Sequence, residues 1–103
     1  MKRYSFSELN EMIETMTDDD YQALLDKFYK YSSKIRNERK TIMDETWAKR
    51  KEMGAWAWKK SDDVKAAYDQ IHKLDKIISD TSTRITWLTV FYERKQKNLQ
   101  AGM

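Results

Sequence analysis

An apolar residue returns at every seventh position over a third of this sequence. The series is Val64, Ile71, Ile78, Ile85, Tyr92 and Leu99. A second series lies between these positions and consists of Ala67, Leu74, Thr81, Leu88 and Lys95. A spacing that averages 3.5 residues is typical of a helix that supercoils against another helix. The pattern therefore predicts one long helix that needs a packing partner along its whole length.

The composition favours an all-α fold with few connections. The chain has 103 residues, no proline and two glycines, Gly54 and Gly102. Strands need turns, and turns depend on glycine and proline. A chain of this length is enough for one small domain. We therefore expect a single helical domain over residues 1–103.

Capping signals divide the chain into helices. Ser5 or Ser7 can cap a first helix, and Thr17 followed by three aspartates is typical of a helix start. Gly54 either ends the second helix or lies within a helix that continues to Lys60. These signals predict helices at about 6–16, 18–53 and 62–98, with a tip at about 54–61.

The second helix repeats the spacing of the last one, through Tyr21, Phe28, Ile35 and Ile42. Because the tip is short, we expect the two long helices to form an antiparallel, coiled-coil-like hairpin. This fold brings Tyr21 near Tyr92 and Trp47 near Tyr68.

The stretch 85–92 reads ITWLTVFY and is apolar around the whole helix, which indicates that it is buried on every side. We expect the short first helix to cover it, giving a three-helix arrangement at one end. A contact in a dimer is the alternative.

The sequence also bears on location and chemistry. It has no cysteine, no signal-peptide apolar region near Met1 and no long apolar window. We therefore expect a cytoplasmic protein without a membrane contact. His72, the single histidine, is flanked at helical spacing by Asp69 and Asp75, and these three side chains could hold a metal weakly. A solvated histidine on a polar helix face explains the same pattern, and the sequence has no His-x-x-x-His, Glu-x-x-His or cysteine pair to supply a first-row metal with ligands. No glycine-rich phosphate loop is present. We expect no enzyme activity, no metal site and no cofactor.

Positive charge is concentrated in the middle of the chain. Residues 1–26 carry a net charge of −5, residues 27–60 one of +7 and residues 61–103 one of +1. A basic helix face can neutralise nucleic-acid phosphates. Acidic residues are interspersed, however, so an ordinary solvated helix with i, i+4 ion pairs explains the same pattern.

Trp56 and Trp58 are two residues apart, so on a helix they point about 200° away from each other and cannot both enter one seam. One or both are then exposed at the tip, a composition typical of a protein-binding hot spot. In the alternative, Trp58 folds back with Met53 and Trp47 to close the tip. The predicted contact residues are Trp56, Trp58, Lys59 and Lys60 at the tip, and Arg36, Arg39, Lys40 and Arg50 on the basic face.

These observations predict a non-catalytic interaction protein that binds a larger protein or ribonucleoprotein as a monomer or homodimer. Small cysteine-free chains of this kind suit phage or mobile-element inhibitors of host defence, of the anti-CRISPR or anti-restriction type. The alternatives are an RNA- or DNA-binding hairpin that acts through residues 27–60, and a structural homo-oligomer.

Overall fold

A computed structural model describes residues 1–102, and within them the chain forms four α-helices and no strand. The helices are α1 (Phe6–Thr15), α2 (Asp18–Met53), α3 (Ala55–Lys60) and α4 (Asp62–Ala101). α2 and α4 pack against each other as a helical hairpin. The predicted all-α hairpin is confirmed.

Reciprocal side-chain caps begin both α1 and α2. The Ser5 hydroxyl accepts a hydrogen bond from the Glu8 N–H at 3.1 Å, and the Glu8 carboxylate accepts one from the Ser5 N–H at 3.4 Å. Thr17 and Asp20 repeat the arrangement at 3.1 and 3.3 Å. Each cap satisfies backbone donors that a helix leaves unpaired at its start. The ion pair with Lys2 and the backbone bond from Ser5 lower the pKa of Glu8.

Gly54 makes the connection between α2 and α3. Its φ of 82° and ψ of 152° lie in a region that only glycine adopts without strain. Its N–H donates to the Arg50 carbonyl at 3.0 Å, and its own carbonyl accepts from the Trp58 N–H at 3.0 Å. The second helix therefore ends at Met53, and the tip contains a separate short helix.

The chain divides into two compact units. The first unit comprises Met1–Ser32 and the segment that begins at Asp80, and the second unit comprises Ser33–Ser79.

In the first unit, three helices meet around one core. Its buried members are Leu9, Ile13 and Met16 of α1 or its end, Tyr21, Leu24 and Phe28 of α2, and Leu88 and Phe91 of α4. The Phe6 ring makes edge contacts with Trp87 at 5.3 Å and Phe91 at 4.9 Å. The residues around α1 thus cover most of the all-round apolar stretch, and the predicted three-helix arrangement is confirmed. Val90 stays exposed.

Ring stacking and hydrogen bonds connect separate segments of the first unit. The Tyr21 and Tyr92 rings are stacked at 3.8 Å, as the heptad spacing predicts, and the Tyr92 hydroxyl donates to the Asp18 carboxylate. That hydrogen bond, together with some burial, raises the pKa of Tyr92. The guanidinium of Arg84, which is buried, donates to the carbonyls of Tyr4 and Asp80 at 2.6 and 2.9 Å.

The second unit has its own buried side chains. They are Ile35 and Thr46 of α2, Trp58 of α3, and Val64, Ile71 and Leu74 of α4. The α4 residues belong to the two heptad series, so the seam predicted from the sequence is the inner face of this unit.

The Gly54 backbone generates a stability prediction. We expect Gly54→Ala to lower the free energy of unfolding by about 1–3 kcal/mol, because an alanine at this φ and ψ is strained. The space around the new Cβ is open, so the loss comes from the backbone alone. Urea denaturation measures it.

Gly102→Ala is the matched control. Its Cβ would make an ordinary contact with the Asn98 carbonyl at 3.5 Å, and its φ is not positive. We expect a change within about 0.5 kcal/mol. Equal losses in both variants would contradict the conformational role of Gly54.

Candidate interaction surface

The second unit, which the structure describes throughout, exposes its large apolar side chains in one short segment. Trp47 is 46% exposed, Met53 42% and Trp56 73%. All three lie between the last two turns of α2 and the first turn of α3. Apolar side chains gathered in one segment are typical of a binding surface, whereas single ones are common on any protein.

Trp58 is a core residue of the second unit. It is 9% exposed, and its indole N–H donates to the Thr46 carbonyl at 2.8 Å. Its ring lies 5.5 Å from that of Trp47 and makes an edge contact with Tyr68 at 5.9 Å. The Trp58 ring thus contacts both Trp47 and Tyr68, the two residues that the heptad spacing predicts to lie near each other.

The burial of Trp58 decides where Trp56 points. Positions two apart on a helix differ in direction by about 200°. Because Trp58 is turned towards α2, Trp56 is turned towards solvent. The sequence left open whether the tip tryptophans are exposed or folded back. In the structure Trp58 folds back and closes the tip, and Trp56 is exposed.

Two cations lie over the tryptophan rings. The Arg50 guanidinium is 5.1 Å from the centre of the Trp47 ring and 5.6 Å from that of Trp58. The Lys60 ammonium is 4.0 Å from the centre of the Trp56 ring. Such cation–π contacts place positive charge directly on an apolar face.

We define the tip surface as the following five exposed side chains: Trp47, Arg50, Met53, Trp56 and Lys60. A shallow groove connects its α2 part with the start of α3. The groove is lined by Asp44, Trp47, Ala48, Arg50, Lys51 and Ala55.

The net positive charge of the second unit is concentrated in residues 47–60, the segment that contains the tip surface. The unit carries twelve Lys and Arg against eight Asp and Glu, a net charge of +4. Residues 47–60 alone contain five of these cations and one acid, which also gives +4. The rest of the unit has seven of each sign and is neutral.

The predicted basic face lies further along α2. Arg36 and Lys40 are exposed, and spacings of three and four residues place them on the same helix face as Trp47 and Arg50. They lie about 15–21 Å from Arg50 along the helix axis. The guanidinium of Arg39 donates to the Asp75 carboxylate at 2.5 Å, so its charge is paired within the unit.

The eight residues predicted from the sequence therefore have different positions. Arg50, Trp56 and Lys60 belong to the tip surface, and Lys59 is exposed beside them. Arg36, Arg39 and Lys40 lie two to four turns away on α2. Burial removes Trp58 from any accessible surface.

Sequence reasoning did not place Trp47 and Met53 on the surface. For Trp47 a signal exists: it follows Ile42 by five residues, so it is out of phase with the series of Tyr21, Phe28, Ile35 and Ile42. A residue out of phase with the seam lies on the outer side of the helix. No comparable signal marks Met53, which is the last residue of α2.

Neither a metal site nor a membrane span is found in the part of the chain that the structure describes. Within residues 1–102, no three acidic or histidine side chains are grouped to hold a metal ion. Asp75, which flanks His72 in sequence, instead accepts the hydrogen bond from Arg39. No helix among the same residues is long and apolar enough to cross a membrane.

The fold and surface define an all-α helical hairpin with an aromatic and basic tip. Comparisons with protein-family models, with curated protein sequences and with solved structures find no match to this chain. Inferences about its function therefore rest on its own residues.

The different burial of the two tip tryptophans can be tested by stability. We expect Trp58→Ala to lower the free energy of unfolding by about 3–5 kcal/mol, as for other buried aromatic residues. Trp56→Ala is the matched control and should change it by less than about 0.5 kcal/mol. Urea denaturation of both variants measures the difference.

Should Trp58→Ala fail to fold, Trp58→Phe gives the same test with a smaller change. It keeps an aromatic ring but removes the N–H that donates to Thr46. We expect it to be less stable than the wild type by about 1–3 kcal/mol. A Trp56 variant that loses as much as the Trp58 variants would refute the assignment.

Proposed function

We propose that this chain is a non-catalytic interaction protein that binds a larger macromolecular partner through the tip surface. The observation that carries the proposal is the 73% exposure of Trp56, in the same short segment of the chain as Trp47 and Met53, which are 46% and 42% exposed. Tryptophan, methionine and arginine are enriched in the buried centres of protein interfaces. When a partner covers an exposed tryptophan, the burial of its apolar surface stabilises the complex.

The apolar side chains of the tip surface can contribute to the free energy of binding. Fully burying one large apolar side chain contributes about 1.5–3 kcal/mol. Three such side chains with two cations resemble the small groups of residues that dominate measured interfaces, where truncation of one hot spot costs about 2 kcal/mol or more. The shape of the surface, with a groove between α2 and α3, offers a place for a partner side chain.

The groups at the tip surface support the non-catalytic part of the proposal. Tryptophan and methionine do not transfer protons, and the arginine and lysine side chains offer hydrogen-bond donors and no acceptor. None of these five side chains is a histidine or a carboxylate, which are the usual general bases. The surface is suited to recognition.

The specific form of the proposal is an inhibitor of host defence machinery, encoded by a phage or mobile element, of the anti-CRISPR or anti-restriction type. It rests on the small size of the chain, the absence of cysteine and the binding role proposed for the tip surface. It predicts a stoichiometric complex that blocks a defence nuclease.

RNA or DNA binding is the second candidate function. The observation that favours it is the shared face of Arg36, Lys40 and Arg50, which extends for about 21 Å along α2. This candidate predicts that affinity falls steeply with salt, since each phosphate contact releases counterions. Binding that is insensitive to salt would exclude it.

The proposal is tested by affinity capture from the native host with the wild type and a variant that carries Trp47→Ala and Trp56→Ala. We expect at least a tenfold loss of the captured partner in quantitative mass spectrometry, because two exposed anchors are removed. The substituted side chains are 46% and 73% exposed, so the variant should keep its fold.

Tyr29→Ala is the matched control. Tyr29 is 53% exposed and belongs to the first unit, so its loss removes an exposed aromatic ring that is not part of the tip surface. It should capture as much partner as the wild type. Full capture by the Trp47 and Trp56 double variant, with its circular dichroism unchanged, would show that the tip surface does not bind the partner.

A further inference from the structure

We infer that the tip surface takes an acidic protein segment that carries apolar side chains next to its carboxylates. This inference rests on the proposed function and names the chemistry of the partner. Three observations carry it: the position of the charge, the contact between charge and rings, and the lining of the groove.

The position of the charge indicates a local anionic ligand. The second unit's whole net charge of +4 resides in residues 47–60, and the remainder of that unit is balanced. A nucleic-acid backbone is bound by a row of unpaired cations along its length. Here Arg39, within the would-be row, is already paired with Asp75 at 2.5 Å. The attraction is therefore strongest at one short segment, which a few carboxylates can satisfy.

The contact between charge and rings indicates that the ligand is also apolar. Arg50 and Lys60 lie 5.1 and 4.0 Å from the centres of the Trp47 and Trp56 rings. A ligand that uses both the rings and the cations must bring its negative charge within one side chain's length of its apolar groups. Neighbouring residues of a peptide, such as Glu beside Leu or Phe, provide this arrangement.

The lining of the groove indicates where an apolar side chain enters. Ala48 and Ala55 are its small residues, and Trp47 forms an apolar wall. Arg50 and Lys51 line it as well, against the single carboxylate of Asp44. The groove therefore keeps a positive excess beside an apolar floor, in agreement with an acidic and apolar segment.

Selection of ligands from a random 12-residue peptide library, displayed on phage, tests the inference. The immobilised bait is the full-length wild-type chain. We expect the enriched peptides to carry net negative charge and at least one large apolar residue. The leading peptide is then synthesised, and its affinity is measured by fluorescence anisotropy.

The expected affinity changes are specific. Replacing the peptide's Asp and Glu by Asn and Gln should weaken binding at least tenfold, and so should Trp56→Ala or Lys60→Glu in the protein. Lys73→Glu is the matched control, since Lys73 is an exposed lysine of the second unit outside residues 47–60. It changes the net charge equally and should alter the affinity less than threefold.

The outcomes separate the inference from the proposed function. Enriched peptides that are neutral or basic, yet lose binding with Trp56→Ala, overturn the acidic chemistry and leave the tip surface as a binding site. Peptides that bind the Trp56→Ala variant as tightly as the wild type overturn the tip surface itself. No enrichment over the bare support also overturns the inference.

Two other occupants are checked with the same protein. A 20-nucleotide single-stranded RNA that displaces the peptide, and whose own binding needs Trp56, would overturn the inference in favour of nucleic acid. A dimer that forms with rising concentration and disappears with Trp56→Ala would overturn it in favour of a second copy of the chain. Light scattering measures the dimer.

Discussion

Trp58 fixes α3 against α2, and the arrangement of the whole tip depends on that contact. Its indole N–H donates to the Thr46 carbonyl at 2.8 Å, and its ring packs between those of Trp47 and Tyr68. A buried tryptophan needs a partner for its N–H, and a helix carbonyl provides one. Since α3 has only six residues, one such anchor fixes the direction of every other side chain on it.

The burial of Trp58 leaves the other side chains of α3 on the surface. With Trp58 turned inwards, Trp56 has no core to enter, and Lys60 lies over its exposed ring at 4.0 Å. Gly54 permits the sharp change of direction that lets α3 begin immediately after α2, because its φ of 82° is open to glycine. Residues 47–60 thus combine exposed aromatic rings with a net charge of +4. We propose recognition as the role of the tip, and the heptad series as the seam that packs the helices supporting it.

Much of the fold follows from local rules in the sequence. Ser5 and Thr17 cap helices because their hydroxyls accept backbone N–H groups, and this can be read without a structure. The seven-residue spacing likewise predicts that Tyr21 meets Tyr92, since matched heptads place equivalent positions opposite each other. Coverage of the apolar stretch 85–92 by the first helix follows from the need to bury it.

The residues of the candidate surface could be predicted only in part from the sequence. Spacing shows that Trp56 and Trp58 point apart, but the choice between them depends on a carbonyl twelve residues away on another helix. The pairing of Arg39 with Asp75 depends on the register of two helices, which periodicity alone does not fix. Such contacts arise from tertiary structure. Trp47 is the exception, because its departure from the heptad phase marks it as an outer residue.

Fluorine NMR of the protein labelled with 5-fluorotryptophan tests the central claim most directly. The four tryptophan signals are assigned by single Trp→Phe substitutions, and their shifts are compared in H2O and D2O, which report solvent contact. We predict a large solvent shift for position 56, an intermediate one for position 47 and almost none for position 58. A large shift at position 58, or a shielded position 56, would contradict the inward direction of Trp58 and the outward direction of Trp56.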